Sequence, residues 1–401
     1  MAGSTWRASS GAVAFALTLV AAGPPAAGAA SLDAQACAGQ AAARHGHIAA
    51  VLDRRAGARK DRGQRGRARA DRRRSLWHAR LARYYGDQAL LRPVPRGAAV
   101  TYRTLRRSRA LRRSFLTGFE QLTPENEMKM ERLQPAPGIF RFAEADRMVR
   151  FARRYCKRIR GHTLVYGRQL PRWATDGRYG PPQLGFEMEW HVRTVMSRYA
   201  GRVAEWDVVN EAIGPDGRYA RNVWFEALGR QYVERAFRAA HDADPSARLF
   251  YNDSGIELPD HPHTVAVRAM VKRLRRGGVP IHGVGIQNHV STTHHASEAQ
   301  LASTIRGFTR MGLKVAITEM DVQLDPPGTR ARRLERQRLV FRAAARACAR
   351  NPGCSSFSTW GVGDRVSWLG PAAGGLLFDR GYRPKPAYHA VSRSLGSPTA
   401  P

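Results

Sequence analysis

The sequence contains no apolar run long enough to cross a membrane. One apolar stretch, over residues 11–23, is too short to span a bilayer. Arg7 precedes it and the small residues Ala27, Gly28 and Ala29 follow it, which is typical of a secretory leader with its cleavage site. We therefore expect residues 1–30 to be a signal peptide. The mature protein is expected to be soluble, secreted to the extracellular or periplasmic space, and free of membrane contact.

Cysteine is scarce, with four residues in a chain of 401. Four thiols are compatible with an oxidising compartment. Cys348 and Cys354 enclose a tight Asn-Pro-Gly loop, which favours a disulfide between them. For Cys37 and Cys156 two alternatives stay open, a second bridge or a buried free thiol at Cys156.

Acidic residues are also scarce, because 32 Asp and Glu stand against 66 Lys and Arg, for a formal net charge of +34. Such an excess favours attraction to polyanions. The arginines are nevertheless spread over several predicted helices, as at Arg268, Arg273, Arg332 and Arg336. We therefore expect no nucleic-acid partner.

Residues 53–74 hold eleven Lys or Arg, three Asp, and no aromatic or β-branched residue. A segment of this composition cannot bury enough apolar surface to offset its ordering entropy. We expect residues 31–75 to be an Arg-rich flexible arm, residues 76–395 to form one large domain, and residues 396–401 to be a short tail. No repeat of 20 to 50 residues is visible in the sequence.

From about residue 75 onward, short apolar runs alternate with amphipathic stretches. The runs are predicted as eight strands, at residues 84–87, 118–122, 158–165, 203–209, 248–252, 283–288, 314–318 and 356–360. Predicted helices between them include residues 143–154, 231–241, 263–276 and 330–350. Eight strand-helix repeats predict an α/β fold, specifically a (β/α)8 TIM barrel as a single catalytic domain.

An open, doubly wound sheet alternates in the same way, and the position of the polar residues decides between the two. They stand at or just past strand ends along the whole chain: Glu125, Asn126, His162, Asn210, Glu211, Asn252, Asp253, Gln287, His289, Glu319, Asp321 and Trp360. A barrel builds its site from all of its βα loops, whereas an open sheet uses one crevice. The ring of polar residues therefore favours the barrel.

Two carboxylates are prominent in this ring. Glu211 lies in WDVVNEA and Glu319 in VAITEMD, each where an apolar strand-like run ends. For either one alone, a helix cap or a surface charge is the simpler explanation. Asn210 and Asp321 supply neighbours of the kind that bind a substrate and orient a nucleophile. A nucleophile and a proton donor on two strand ends are what cleavage of a glycosidic bond requires.

Eight sequence blocks stand out in order along the chain: LTPENEMKM (122–130), GHTLVYGRQLPRW (161–173), WDVVNEAI (206–213), YNDSGIE (251–257), GVGIQNHV (283–290), AITEMDV (316–322), STWGVGDRVSW (358–368) and LLFDRGYRPKPAYHAV (376–391). With these blocks, residues 77–394 resemble the glycoside hydrolase family 10 endo-β-1,4-xylanases. The resemblance implies a secreted endo-1,4-β-xylanase that hydrolyses internal bonds of xylan with retention, by double displacement. We further expect a monomer that needs no cofactor and no metal.

The resemblance assigns roles to the catalytic residues. It implies that Glu211 is the acid/base and that Glu319 is the nucleophile, with the two carboxyl groups roughly 5–5.5 Å apart. Asn210 is expected to bind the sugar 2-hydroxyl. His289, with Asp321 behind it, is expected to orient Glu319 and to keep it charged.

The same blocks imply a set of sugar-binding residues. Family positions on the nonreducing side of the cleavage point correspond to Glu125, Asn126, Lys129, His162 and Gln169, and Gln287 is expected to face the same pocket. Trp360 and Trp368 correspond to indoles that wall the cleft, whereas Trp206 is expected to pack in the core. The positive surface is expected to favour glucuronate-bearing xylans at low salt.

Two positions beside the site depart from the family pattern. Where relatives usually read TLVWH, this chain has Tyr166 and Gly167. Gly167 removes an imidazole, and we expect water or a neighbour such as Arg168 to fill the space. Two other functions stay open: activity on β-glucan or aryl cellobiosides, and a polysaccharide-binding protein that has kept the barrel and lost turnover.

Overall fold

The computed structural model describes residues 94–396. The predicted leader, the Arg-rich arm, the strand predicted at residues 84–87 and nearly all of the predicted tail lie outside this range. Nine strands are present in the described part of the chain: β1 Arg96–Val100, β2 Gln121–Pro124, β3 Arg158–Tyr166, β4 Glu205–Asn210, β5 Arg248–Asp253, β6 Gly283–Ile286, β7 His289–Ser291, β8 Lys314–Gln323 and β9 Cys354–Thr359.

Eight of these strands form a closed parallel barrel. Strands β1 to β6 pair in sequence, β6 pairs with β8, β8 pairs with β9, and β9 pairs with β1. The short strand β7 adds to β8 beyond the end of β6. The predicted (β/α)8 fold is therefore confirmed.

Helices surround the barrel. They are α1 Tyr102–Arg107, α2 Arg109–Gly118, α3 Met130–Leu133, α4 Ala143–Arg154, α5 Pro181–Tyr199, α6 Val223–Leu228, α7 Gln231–Ala243, α8 Pro262–Arg276, α9 Glu298–Thr309, α10 Arg330–Ala349 and α11 Pro386–Ser394. Within residues 94–396, none of them is long and apolar enough to span a membrane.

Local chemistry explains where many helices begin. Side-chain oxygens of Thr101, Ser108, Asn222, Ser297 and Thr329 accept first-turn N–H groups of α1, α2, α6, α9 and α10. Proline, which fits the first helical turn, begins α5, α8 and α11. All of these helices except α2, which follows α1 directly, begin at the end of a βα connection, so their caps also fix the loops around the site.

Several predicted boundaries were wrong. The strand predicted at 118–122 begins at Gln121, because Gly118 is the last residue of α2. The seventh barrel strand, β8, does not stop at Thr318 but continues through Glu319 and Asp321 to Gln323. The first barrel strand is Arg96–Val100, which the sequence pattern did not indicate.

Trp206 is buried in the core, as expected, with no exposed surface, and its ring centroid lies 6.2 Å from that of Tyr199 on α5. The neighbouring strand β3 has a glycine opposite this indole. Gly161 is the register partner of Trp206, and a Cβ at this position would overlap the ring. The disulfide between Cys348 and Cys354 is confirmed, with its Cα atoms 5.3 Å apart. Cys156 is also disulfide-bonded, so the free-thiol alternative is wrong.

Candidate active site

The carboxyl-terminal end of the barrel brings the two prominent carboxylates into one network. Glu211 follows β4 directly, and Glu319 lies within β8. Glu211 has a φ of 54°, a left-handed conformation that is uncommon for a non-glycine residue. Its N–H donates to the carbonyl of Asn252 at 2.9 Å, and the next two N–H groups donate to the Tyr251 hydroxyl. These bonds hold the unusual backbone in place.

The half-buried Glu211 carboxyl receives neutral donors on both oxygens. Gln287 Nε2 donates to Oε1 at 3.0 Å, and Asn210 Nδ2 lies 3.3 Å from the same oxygen. The Tyr166 hydroxyl donates to Oε2 at 2.8 Å. Burial, together with the Glu211 charge and hydrogen bond, raises the pKa of Tyr166, so the phenol stays protonated and acts as the donor.

Glu319 lies in a different environment, since only 4% of the residue is exposed. Asn252 Nδ2 donates to Oε1 at 2.6 Å, and His289 Nε2 lies 3.1 Å from Oε2. Burial alone would raise the pKa of Glu319. The hydrogen bond from His289 and the positive charges of His162 and His289 outweigh it and hold the pKa below its ordinary value. This carboxyl therefore stays ionised.

The imidazole of His289 connects Glu319 to Asp321. Its Nδ1 lies 3.0 Å from Asp321 Oδ2, on the side opposite Glu319. Burial disfavours the charged imidazole, but the hydrogen bonds and charges of Asp321 and Glu319 raise the pKa of His289 to about 10. His289 is thus a cation between two carboxylates.

A second, fully buried network supports His162. Its Nδ1 lies 3.0 Å from Asp207 Oδ2, and Arg160 joins Asp207 at 2.5 Å and Glu205 at 3.1 Å. Burial by itself would raise the pKa of Asp207. The charges and hydrogen bonds of Arg160 and His162 outweigh this effect and hold the pKa of Asp207 below its ordinary value. The ring of His162 is thereby fixed with Nδ1 toward Asp207.

The residues expected to bind sugar on one side of the carboxylates also lie together. Lys129 Nζ donates to Gln169 Oε1 at 2.5 Å and lies 3.4 Å from Asn126 Oδ1. Burial lowers the pKa of Lys129, although the charges of Glu319, Glu125 and Glu211 oppose the change. Burial also raises the pKa of Glu125 to about 7, against the charge of Lys129. These groups form a polar cluster next to Glu211 and Glu319.

The two tryptophans occupy different positions. Trp360 is 8% exposed and meets the ring of His162 edge-on, with centroids 5.0 Å apart. Trp368 is 57% exposed, and its Nε1 donates to Asp321 Oδ2 at 2.6 Å. The large exposed indole of Trp368 is anchored to Asp321 and is free to contact a ligand, whereas Trp360 forms the floor beside the histidines.

The space at Gly167 is filled, but not as expected. A Cβ built at Gly167 would lie 2.8 Å from Asn222 Cβ and 2.9 Å from its Nδ2. Arg168 is exposed to solvent instead. Asn222 cannot move freely, because its Oδ1 caps α6 by accepting N–H groups at 3.0 and 3.1 Å. A neighbouring side chain therefore fills the space, but it is Asn222 and not Arg168.

The sequence pattern missed some of the residues that orient the carboxylates. Asn252 was recognised only as one polar residue among many, yet it bridges Glu319 and Asn210, and Thr318 fixes its amide by donating to Oδ1 at 2.7 Å. Arg160 and Asp207 were not singled out, although charged residues inside predicted buried strands were a usable signal. No cluster of metal-ligating side chains occurs among residues 94–396.

Comparison with known proteins gives concordant matches. The profile of glycosyl hydrolase family 10 matches residues 89–394. Endo-1,4-beta-xylanase B of Thermotoga neapolitana is 37% identical over 277 residues, which is 68% of this chain and 80% of the relative. Endo-1,4-beta-xylanase A of Humicola insolens is 35% identical over 286 residues, which is 70% of this chain and 75% of the relative.

Solved structures agree with the sequence comparison. Native xylanase 10B from Thermotoga maritima superposes with a TM-score of 0.72 at 35% identity, covering 76% of this chain and 95% of that one. Xylanase 10B from Thermotoga petrophila, in complex with xylobiose, gives a TM-score of 0.73 at 34% identity and covers 79% of this chain and 95% of that one. The chain therefore belongs to glycosyl hydrolase family 10 and is a glycoside hydrolase.

Proposed function

We propose that the protein is an endo-1,4-β-xylanase that cleaves internal bonds of xylan with retention. The observation that carries this proposal is the unequal environment of two carboxylates in one network. Glu319 is buried against a cationic imidazole and stays ionised, as a nucleophile must. Glu211 is half-buried and has only neutral donors, which suits a group that exchanges a proton twice per turnover.

In the first step, Glu319 attacks the anomeric carbon while Glu211 gives its proton to the leaving oxygen. In the second step, Glu211 takes a proton from water, which attacks the glycosyl-enzyme and releases Glu319. Asn210, held by Asn252 and Gln287, would bind the sugar 2-hydroxyl. The cluster of Glu125, Asn126, Lys129 and Gln169, with His162 and Gln287, would bind the nonreducing-side sugars.

The matched relatives and the polysaccharide they are named for support xylan as the substrate. We also propose secretion, which is supported by the leader pattern in residues 1–30. Reducing-sugar release from purified xylan and from β-glucan tests the substrate directly. Release from β-glucan alone would overturn the xylanase proposal, and release from neither would favour a binding protein.

Variants of the two carboxylates test the roles. Glu319→Ala is expected to abolish hydrolysis of every substrate. Glu211→Ala is expected to form the glycosyl-enzyme from aryl xylobiosides with good leaving groups, and added azide should convert it to a β-azide product. Glu189→Ala, which removes a partly exposed carboxylate of α5, is the matched control and should leave activity unchanged.

Two outcomes would contradict these roles. Full activity of Glu211→Ala on xylan would show that another group supplies the proton. An α-anomer as the first product, observed by proton NMR before mutarotation, would show inversion instead of retention. Either result leaves the fold and family membership untouched.

A further inference from the structure

We propose that Tyr166 is a positioning residue for Glu211: its hydroxyl directs the exchangeable proton to Oε2. This inference rests on the proposed role of Glu211 as acid/base. It starts from one contact, the 2.8 Å hydrogen bond from the Tyr166 hydroxyl to Glu211 Oε2. The residue is also one of the two departures from TLVWH beside the site.

The donors on the two carboxyl oxygens are not equivalent. Oε1 faces the side-chain NH2 groups of Gln287 and Asn210, which donate and cannot accept a hydrogen bond. A proton on Oε1 would point at these donors. The hydroxyl of Tyr166 both donates and accepts, so it tolerates a protonated or an ionised Oε2 by rotating its hydrogen. The proton of the acid form therefore belongs on Oε2.

The phenol is held where this role needs it. Tyr166 is the last residue of β3 and pairs in register with Asn210, the residue before Glu211. Its carbonyl accepts the indole N–H of the buried Trp224 at 2.8 Å. The hydroxyl is thus placed by the barrel backbone and by α6.

The same bond fixes the orientation of the Glu211 carboxyl. Gln287 and Asn210 contact Oε1, and the Tyr166 hydroxyl contacts Oε2. Loss of the hydroxyl removes the contact that directs the proton. Proton transfer to a poor leaving group depends on that placement, so it should suffer most.

The test compares Tyr166→Phe with the wild type. The variant keeps the ring and loses the hydroxyl, so kcat/KM on xylan, whose leaving group needs the Glu211 proton, should fall roughly threefold to tenfold. With an aryl xylobioside whose leaving group departs without protonation, kcat/KM should stay unchanged, whereas a merely structural defect would lower both values. Tyr179→Phe, a phenol packed against Trp173 away from the carboxylates, is the control and should change neither quantity.

A measurement independent of turnover separates this inference from the proposed function. Neutron diffraction from crystals exchanged into heavy water at acid pH locates the deuteron of the Glu211 carboxyl directly. The deuteron should lie on Oε2, facing the Tyr166 hydroxyl. A deuteron on Oε1 would overturn the role of Tyr166, even in an active enzyme.

Failure of the proposed function would look different. A wild-type protein without hydrolytic activity would refute the xylanase, while the position of the deuteron would still decide the role of Tyr166. If Tyr166→Phe does not fold by circular dichroism, Tyr166→Leu also lacks the hydroxyl and serves in the same kinetic comparison. Equal falls of kcat/KM on both substrates in the folded variant count against the proposal.

Discussion

The contact between Gly167 and Asn222 predicts a large and specific cost for the smallest possible change, Gly167→Ala. The added methyl would lie 2.8 Å from Asn222 Cβ, 2.9 Å from Nδ2 and 3.0 Å from Cγ. Asn222 can relieve this clash only by giving up its two cap hydrogen bonds to α6. A side chain at position 167 should therefore both destabilise the protein and disturb the start of α6.

The magnitude follows from three contributions. Overpacking costs roughly 1–3 kcal/mol, and loss of the Asn cap costs about 1 kcal/mol. The lower entropy of the unfolded alanine chain offsets about 0.4–1 kcal/mol. The expected net loss in the free energy of unfolding is about 2 kcal/mol, or a Tm lower by roughly 5 °C for a domain of this size.

A double-mutant cycle isolates the contact. Asn222→Gly removes the obstructing side chain, and glycine at a cap position costs only a few tenths of a kcal/mol. In that background Gly167→Ala should be neutral or stabilising, which gives a coupling free energy of about 2 kcal/mol. The measurement is thermal or urea unfolding of the four proteins. Gly277→Ala, whose methyl would meet nothing closer than 3.5 Å, is the matched glycine control.

Equal destabilisation by Gly167→Ala in both backgrounds would refute the reasoning, because the clash would then not involve Asn222. The same contact predicts that Gly167→His, which restores the residue of relatives, lowers Tm and does not raise turnover. An imidazole needs more room than a methyl group, and that room is occupied by Asn222. A faster Gly167→His enzyme with an unchanged Tm would also contradict this account.

Three further predictions concern the charges of the protein. Arg160→Met should lower the free energy of unfolding by about 3–5 kcal/mol, because it leaves Asp207 and Glu205 buried without the guanidinium. The control is Arg158→Met, which removes a partly exposed partner of the same Glu205 and should lower the free energy of urea unfolding by less than about 1 kcal/mol. The pKa of His289 is raised in the folded state to about 10, so its stabilisation is complete below about pH 6.5 and is lost as the pH rises toward 10. Unfolding midpoints across this window should fall in the wild type and be flatter in His289→Asn; equal slopes would contradict the assignment. Deletion of residues 53–74, which lack aromatic and β-branched side chains, should leave Tm and turnover on soluble substrate unchanged, and a large drop in Tm would show that the segment packs on the barrel.

Much of the fold could be predicted from the sequence, and so could the two carboxylates that the structure brings into one network. Apolar runs predicted the strands and amphipathic stretches predicted the helices, because barrel strands are buried on both faces whereas the surrounding helices are buried on one. Polar residues at successive strand ends, above all Glu211 and Glu319, marked one face. The first barrel strand was not predicted. Arg96–Val100 is short, is buried at every residue and begins with an arginine that pairs with Glu120, so it lacks the alternating pattern of a half-buried strand.

The contacts that distinguish this site were not readable. Asn252 meets Glu319 across 67 residues, and Arg160 meets Asp207 across 47. Asn222 fills the space at Gly167, and the Tyr166 hydroxyl reaches Glu211. Local sequence reports which way a side chain faces within its own strand or helix. Which distant side chain it meets depends on barrel register and on loop packing, and these are set by the whole chain at once.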